Sequence, residues 1–327
     1  MKRPVTHLVL ATGGLVLMLP LWWMISVSLS TPEQAQKSVG SASSVQWFPS
    51  NPQWGNYGQA LRYMGAAQKA EETLISIDTL NAPGKTGLAA PSAYPPIYVG
   101  LITGRIDPAW AGFFDALANS VMLTFWTVLG TVLSCSLVGY AFARLRFRGN
   151  KTLFLLMLAT MMLPGQVTMI PVFLLFRWLG WIDTFLPLTV PAFFGSAFFI
   201  FMFRQFFTQI PQDVLDAAKI DGAGNFSIWW RIMLPMSWPV VIITAIFTFL
   251  GAWNDFMGPL IYINDPDKFP IALGLNNLRA AMGRFTMKLV WPYLMAASTM
   301  TIAPILVLYF FTQRTFIEGI TLTGIKG

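Results

Sequence analysis

The sequence predicts an all-α protein that crosses a membrane several times, and two observations support this fold class. Of the 327 residues, 55% are hydrophobic and only 11% are charged, whereas soluble domains carry about 25% charged residues. Several apolar runs are longer than the roughly 18 residues that a membrane-spanning helix needs. The single cysteine, Cys135, lies inside one of these runs and excludes an internal disulfide framework.

Six apolar segments are predicted to be transmembrane helices, since each is near the ~20 residues required to cross the hydrocarbon core. They are residues 8–28, 117–143, 152–176, 184–203, 237–256 and 289–312. The first is longer than the apolar core of a signal peptide and is followed by no convincing cleavage site, so we interpret it as a retained span. Pro164 and Pro171 predict that the third helix is broken.

Arginine and lysine set the predicted orientation, because cytoplasmic loops carry an excess of both. A tight basic cluster follows the second span: Arg144, Arg146, Arg148 and Lys151. Both termini are therefore predicted to be cytoplasmic, and so is the segment 211–235. This topology accounts for the net charge of +7 without a nucleic-acid partner.

The sequence shows neither the ionisable groups of an ion-coupled carrier nor a nucleotide-binding site. Between their ends, the six segments contain no Asp, Glu, Lys, Arg or His, whereas ion-coupled carriers generally need such groups. Gly84-Lys85-Thr86 resembles the end of a phosphate-binding loop, but Thr79 stands where that loop needs its first glycine. We predict no catalytic residue, no metal site and no cofactor on this chain, and expect any driving energy to enter from a partner.

Residues 211–235 are predicted to form a polar helix–turn–helix between two apolar segments. Pro211 suits a first helical turn, and Asp213 places negative charge near the positive end of the helix dipole. Gly222 and Gly224 predict a sharp turn. Asn225 is predicted to cap a second helix over residues 226–233, which ends before the next proline.

One side of the first predicted helix is mostly small, which would let another protein approach closely. At helical spacing this side holds Val214, Ala217, Ala218 and Asp221. Structured connections of this length are unusual in membrane proteins, so the segment is predicted to dock onto another protein.

These residues resemble a known family. Asp216-Ala217-Ala218, followed by Gly222, resembles the EAA loop of ABC importer permeases, although Asp216 stands where the motif usually has Glu. The resemblance implies that an ATP-binding subunit is contacted or moved through Asp216, Ala217, Ala218, Asp221, Gly222, Ile232, Leu234 and Pro235.

Further motifs resemble the smaller, six-span permease subunit of the maltose-type carbohydrate family. They are residues 139–144, Trp253-Asn254-Asp255-Phe256, Pro259-Leu260 and residues 323–327. The resemblance implies the type I importer permease fold in a bacterial cytoplasmic (inner) membrane. It also implies three kinds of partner besides membrane lipid: a second permease subunit, two ATP-binding subunits and an extracytoplasmic solute-binding protein. ATP and Mg are expected on the ATP-binding subunits.

The resemblance divides the chain into a first span (1–29), an extracytoplasmic segment (30–116), a five-helix core (117–312) and a cytoplasmic tail (313–327). An insertion near residues 60–112 interrupts the second part, and we expect it to contact the binding protein or the other permease. In the tail, four residues are expected to contact the ATP-binding subunits: Thr323, Gly324, Lys326 and Gly327.

Four polar residues are candidates for the solute pathway: Gln166, Thr168, Asn254 and Asp255. Each is equally explained by helix–helix hydrogen bonds, and Asp255 also by a solvated helix end. The solute itself stays open between a sugar and an anion such as a glycerol-phosphate diester or an acidic sugar. An anion would suit the basic residues of the outer face: Lys268, Arg279, Arg284 and Lys288. A stand-alone secondary carrier and a membrane scaffold are the alternatives from other classes.

Overall fold

The computed structural model describes residues 3–40, 47–49, 51–61, 63–64, 110–285 and 291–324. These residues form helices and turns, with no strand among them. The all-α prediction is confirmed. Two compact units can be distinguished, one comprising Met1–Leu117 with Phe269–Ile305 and the other Ala118–Lys268 with Leu306–Gly327.

The first unit begins with the apolar helix α1, which covers Arg3–Ser28. A reciprocal capping pair starts the next helix, α2 (Pro32–Gly40): Gln34 N–H donates to Thr31 Oγ1 at 3.4 Å, and Thr31 N–H donates to Gln34 Oε1 at 3.2 Å. The buried Asn56 amide donates to the carbonyls of Ser28 and Ser30 at 2.8 and 2.9 Å. The end of α1 is thereby fixed to the chain that follows.

The second unit holds most of the helices. In chain order they are α3 (Trp110–Arg144, which begins in the first unit), α4 (Asn150–Thr160), α5 (Gly165–Trp178), α6 (Leu186–Thr189), a 3₁₀ turn (Val190–Phe194), α7 (Ala197–Gln209), α8 (Gln212–Ile220), α9 (Asn225–Ile228), a π-helical turn (Trp229–Met233), α10 (Leu234–Met236), α11 (Trp238–Trp253), α12 (Met257–Tyr262) and a 3₁₀ turn (Pro266–Lys268). The chain then forms α13 (Ile271–Phe285) and α14 (Trp291–Gly324).

The third predicted span is broken at Pro164, as the sequence indicates. Pro164 precedes α5 in an extended conformation, and α4 and α5 meet at 99°. Pro171 lies inside α5 and does not interrupt this helix. A second bend of 81° separates residues 225–236 from α11.

By length and composition, three described helices are able to cross a membrane, and five spans result if each bent pair counts as one. The three are Gly112–Arg144, Leu186–Gln209 and Trp291–Gln313. The chain is therefore a multi-pass membrane protein. The count of six and the orientation stay predictions.

Two segments differ from the sequence analysis. The outer stretch after the fifth predicted span contains two helices that were not predicted, α12 and α13, and both are shorter than a membrane-spanning helix. The last helix was predicted to end at residue 312, but α14 continues to Gly324. The insertion falls mainly on residues 65–109, which lie outside the described part of the chain.

Candidate functional site

The predicted helix–turn–helix starts with α8, directly after the apolar helix α7. Ile210 and Pro211 are extended, and Pro211 occupies the position before the first helical residue. Proline suits this place because the first amides of a helix have no intrahelical acceptor. Asp213 in the first turn complements the helix dipole.

One face of α8 is anchored in the hydrophobic core of the second unit. Leu215 is 1% exposed and Ala218 is also buried. The core that receives them comes from α3, α7, the segment 228–233 and α11, and includes Cys135, Tyr140, Ile200, Phe203, Phe207, Ile228, Trp229, Met233, Val240 and Val241. Movement of α8 relative to these helices would therefore disrupt close packing.

The opposite face of α8 is exposed and partly apolar. Ile220 is 86% exposed, Val214 is 36% exposed, and Ala217 and Asp221 are exposed as well. The predicted small-residue side is thus only partly right, because Ala218 belongs to the buried face. An exposed isoleucine at the end of an anchored helix suits contact with another protein surface.

Gly222 reverses the chain after α8 in a Schellman motif. Its φ is +82°, a conformation that side chains other than glycine rarely adopt. The Gly222 N–H donates to Lys219 O at 3.0 Å and the Ala223 N–H donates to Ala218 O at 2.9 Å, which are the two bonds of that motif. No atom lies within 4 Å of the place where a Cβ would stand. The glycine is therefore required by the backbone conformation rather than by space.

The second helix differs from its prediction at both ends. Gly224, in place of Asn225, occupies the N-cap, and Asn225 is the first helical residue. The helical conformation also continues through Pro235. A π-helical turn over Trp229–Met233 joins α9 to α10. Ile232 and Leu234 are partly buried against the core, and Pro235 is exposed.

Arg144, the last residue of α3, holds the start of α8 in place. Its guanidinium donates to the carbonyl oxygens of Phe207 and Ile210 at the end of α7, and to Gln212 Oε1 at 2.9 Å. A cation at a helix C-terminus is electrostatically favourable. From the sequence, Arg144 was informative only about topology and the family resemblance, and Gln212 was not among the predicted residues.

Asp216 continues this network at the exposed surface. Its Oδ1 accepts a hydrogen bond from Gln212 Nε2 at 3.0 Å and lies 3.5 Å from Lys219 Nζ. Both members of the ion pair are about half exposed, so the pair contributes little stability. The carboxylate remains accessible to another protein.

Three of the four candidate solute residues form hydrogen bonds with residues three or four positions away. Thr168 Oγ1 donates to Gly165 O at 3.0 Å, and Asn254 Nδ2 donates to Leu250 O at 2.8 Å. Asp255 Oδ1 accepts from the Gly258 N–H at 3.0 Å at the start of α12. Gln166 is exposed in the first turn of α5. Thr168 and Gln166 thus lie at the beginning of α5, and Asn254 and Asp255 after the end of α11.

Lys268 is engaged by two carboxylates. Its Nζ lies 3.1 Å from Asp183 Oδ2 and 3.1 Å from Asp265 Oδ2. Asp183 Oδ1 also accepts the backbone N–H groups of Asn264 and Asp265 at 3.0 and 2.9 Å. Burial alone would raise the pKa of Asp183, but these hydrogen bonds and Lys268 outweigh it and hold the pKa below its usual value. The hydrogen bonds to Asp183 and Asp265 raise the pKa of Lys268.

The other predicted residues of the outer face and the tail are described only in part. Arg279 is exposed on α13. The side chain of Arg284, and all of Lys288, Lys326 and Gly327, lie outside the described part of the chain. Thr323 and Gly324 belong to the last turn of α14.

Residues 135–320 match the family described as binding-protein-dependent transport system inner membrane component. The match covers more than half of the chain and includes the whole helix–turn–helix. The chain belongs to this family. As such a permease it is a transport component rather than an enzyme.

Curated relatives agree with this assignment. The permease is 37% identical to the arabinooligosaccharides transport system permease protein AraQ of Halalkalibacterium halodurans, over 66% of this chain and 75% of that protein. It is 31% identical to the sn-glycerol-3-phosphate transport system permease protein UgpE of Yersinia enterocolitica, over 64% of this chain and 73% of that protein.

A solved structure supports the fold. A chain of a bacterial ABC transporter involved in the import of the acidic polysaccharide alginate superposes on the permease with a TM-score of 0.67. The superposition covers 95% of each chain at 19% sequence identity. The permease therefore has the fold of an ABC transporter chain over nearly its whole length.

Proposed function

We propose that this permease is one of two different permease subunits of an ATP-driven importer that moves a sugar or oligosaccharide across the bacterial cytoplasmic membrane. The partners are a second permease, two ATP-binding subunits and an extracytoplasmic solute-binding protein. ATP and Mg are held by the ATP-binding subunits. In this proposal six helices span the membrane and both termini are cytoplasmic, which the basic residues between α3 and α4 support.

The observation that carries the proposal is the two-sided character of α8. Its inner face, Leu215 and Ala218, is buried in the membrane-helix core, while its outer face presents Ile220 and Val214. Arg144 joins the start of this helix to the end of α3. A displacement imposed on the outer face would therefore be transmitted to the membrane-spanning helices.

The proposed cycle is alternating access driven from the cytoplasmic side. Closure of the ATP-binding subunits on ATP displaces the segment 211–235, the paired permeases open outward to receive solute, and hydrolysis resets them. Ala217, Asp221 and the Asp216 carboxylate contribute to the docking surface, and Gly222 fixes the turn. Ala218, Ile232 and Leu234 keep the segment attached to the core, and the exposed Pro235 lies beside them in the proposed coupling segment.

The tail provides a second proposed contact with the ATP-binding subunits. It comprises Thr323 and Gly324, which belong to the last turn of the long helix α14, together with Lys326 and Gly327. Continuation of α14 to Gly324 supports this role, because a helix carries its end well beyond the apolar window that stops at Gln313.

A sugar is the favoured solute. The names of the AraQ relatives support it, and Gln166, Thr168, Asn254 and Asp255 are the proposed polar contacts along the pathway. An anionic solute is the second candidate, supported by the UgpE relatives. Against the anion, Lys268 is already paired with two carboxylates, and an incoming anion would have to displace them.

The test is purification of the tagged chain from its native membranes in mild detergent, with mass spectrometry and an ATPase assay on the eluate. The proposal expects a second permease in near-equal amount, an ATP-binding subunit, and ATPase activity that rises with the binding protein. Adding arabino-oligosaccharide or sn-glycerol-3-phosphate to separate samples distinguishes the two solute classes. Recovery of this chain alone, without ATPase activity, would contradict the proposal.

A further inference from the structure

Two neighbouring clefts lie beside the loop that joins α3 and α4. One is apolar, has a volume of about 370 Å³, and runs between the end of α3 and the start of α9, with Leu137, Tyr140, Phe142 and Phe226 among its lining residues. The other is polar, has a volume of about 420 Å³, and is lined by Arg146, Asn150 and Lys151, among others. Leu145 and Phe147 line both clefts, so the two are contiguous.

The apolar cleft is open to its surroundings. Leu137 and Phe147 are exposed, and Phe226 is 67% exposed. The Phe142 ring supports the Phe147 ring at a centroid distance of 5.8 Å and packs against Phe154 at 5.4 Å. Exposed aromatic and aliphatic groups at the end of a membrane helix suit an apolar chain.

The polar cleft, lined by Arg146 and Lys151, and the neighbouring Arg148 carry positive charge that no described acidic residue neutralises. Arg146, Arg148 and Lys151 are exposed, and within the described residues none of them has an ion-pair partner. The sequence from residue 116 to residue 182 contains no Asp or Glu. Lys219 and Lys268, by contrast, are paired with aspartates.

The loop between the clefts has a defined conformation. Asn150 Nδ2 donates to the Leu145 carbonyl at 3.2 Å and to the Phe142 carbonyl at 3.4 Å. Gly149 turns the chain with φ of +84°. The basic side chains are therefore carried on a backbone that is already fixed at the edge of the apolar cleft.

We propose that the joined clefts bind an anionic phospholipid, with an acyl chain in the apolar cleft and the headgroup phosphate at Arg146 and Lys151. Basic pockets beside membrane helices bind anionic headgroups in this way. An acidic protein surface would complement the basic cleft but would leave the adjoining apolar cleft unfilled. The proposal requires only that α3 spans a membrane. In the orientation proposed above, the phospholipid belongs to the cytoplasmic leaflet.

The test is native mass spectrometry of the purified transporter with phosphatidylglycerol or phosphatidylcholine of identical acyl chains. The wild-type complex is expected to retain phosphatidylglycerol preferentially. Each basic residue near a headgroup contributes roughly fivefold in affinity, so the double variant Arg146→Gln/Lys151→Gln should lose roughly 25-fold of that preference. Arg177→Gln removes one charge from an exposed residue at the end of α5 and should change nothing.

A third variant probes the apolar cleft. Phe226→Ala removes an exposed wall and is expected to lower the retention of both lipids equally, because the acyl chains are the same. Unchanged phosphatidylglycerol retention in the double variant would overturn the proposal. The proposal would also be overturned if the double variant retained phosphatidylglycerol like the wild type but lost the ATP-binding subunit. The basic cleft would then be a protein contact. Lipid retention is measured without solute or ATP. A negative result would therefore contradict the lipid-binding proposal without contradicting the proposed transport function.

Discussion

The contact of Arg144 with α8 gives the most detailed prediction. Replacing Arg144 by alanine removes three hydrogen bonds, to Phe207 O, Ile210 O and Gln212 Oε1. Hydrogen bonds to charged groups contribute about 1.5–3 kcal/mol when buried. Because the Gln212 contact is exposed and the two carbonyl contacts are only partly buried, we take about 1 kcal/mol for each bond and about 3 kcal/mol in total.

Hydrogen–deuterium exchange measures this loss directly. The amides of Asp221, Gly222 and Ala223 are bonded to carbonyls of α8 at 3.0, 3.0 and 2.9 Å, so they report local opening of the helix and its turn. A loss of about 3 kcal/mol corresponds to exchange roughly 100-fold faster. Arg144→Lys should give an intermediate acceleration, because one ammonium group cannot reproduce the planar contacts of a guanidinium.

Arg148→Ala is the matched control, since this exposed arginine lies in the same loop and makes no described contact with α8. Its exchange should equal that of the wild type. Equal exchange in the wild type and the Arg144→Ala variant would refute the role of Arg144. Equal acceleration by both alanine variants would attribute the effect to the charge of the loop instead.

Three further predictions concern single positions. Gly222→Val should abolish transport at normal membrane abundance, because φ at this position is +82°. Gly222→Asn should retain transport, since asparagine tolerates this conformation. Equal transport by both variants would contradict the role assigned to Gly222. Ile220→Asp should reduce recovery of the ATP-binding subunit without changing the melting temperature, while Leu215→Ala, at a position 1% exposed, should lower the unfolding free energy by about 2–5 kcal/mol; thermal unfolding with co-purification separates the two. The lowered pKa of Asp183 stabilises the fold above the unfolded pKa of about 3.9, and this stabilisation is lost as the pH falls through the lower folded pKa. Asp183→Asn should remove that acid-dependent part of the melting curve, and an unchanged curve would contradict the reasoning.

The sequence was informative wherever a local pattern determines the backbone. Apolar runs mark the long helices, Pro164 marks the break between α4 and α5, and Gly222 marks the turn after α8. In each case the physical cause lies within a few residues: helix length, a missing N–H group, or a positive φ.

Contacts between distant parts of the chain could not be predicted in the same way. The three acceptors of Arg144 are 63, 66 and 68 residues away, and Lys268 pairs with an aspartate 85 residues away. Which side of α8 is buried also depends on α3, α7 and α11. For this reason Ala218 was assigned to the exposed face, although it packs with Leu215 in the core.

The central claim is that the exposed face of α8 docks onto an ATP-binding subunit. A photo-crosslinking amino acid at position 220 of the full chain, irradiated in native membranes, tests it most directly. A control at position 178, where Trp178 is 82% exposed at the end of α5, should not crosslink to that subunit. The account predicts a crosslink from position 220 to the ATP-binding subunit that changes in yield with ATP. Crosslinks from position 220 to lipid or to the other permease alone would contradict it.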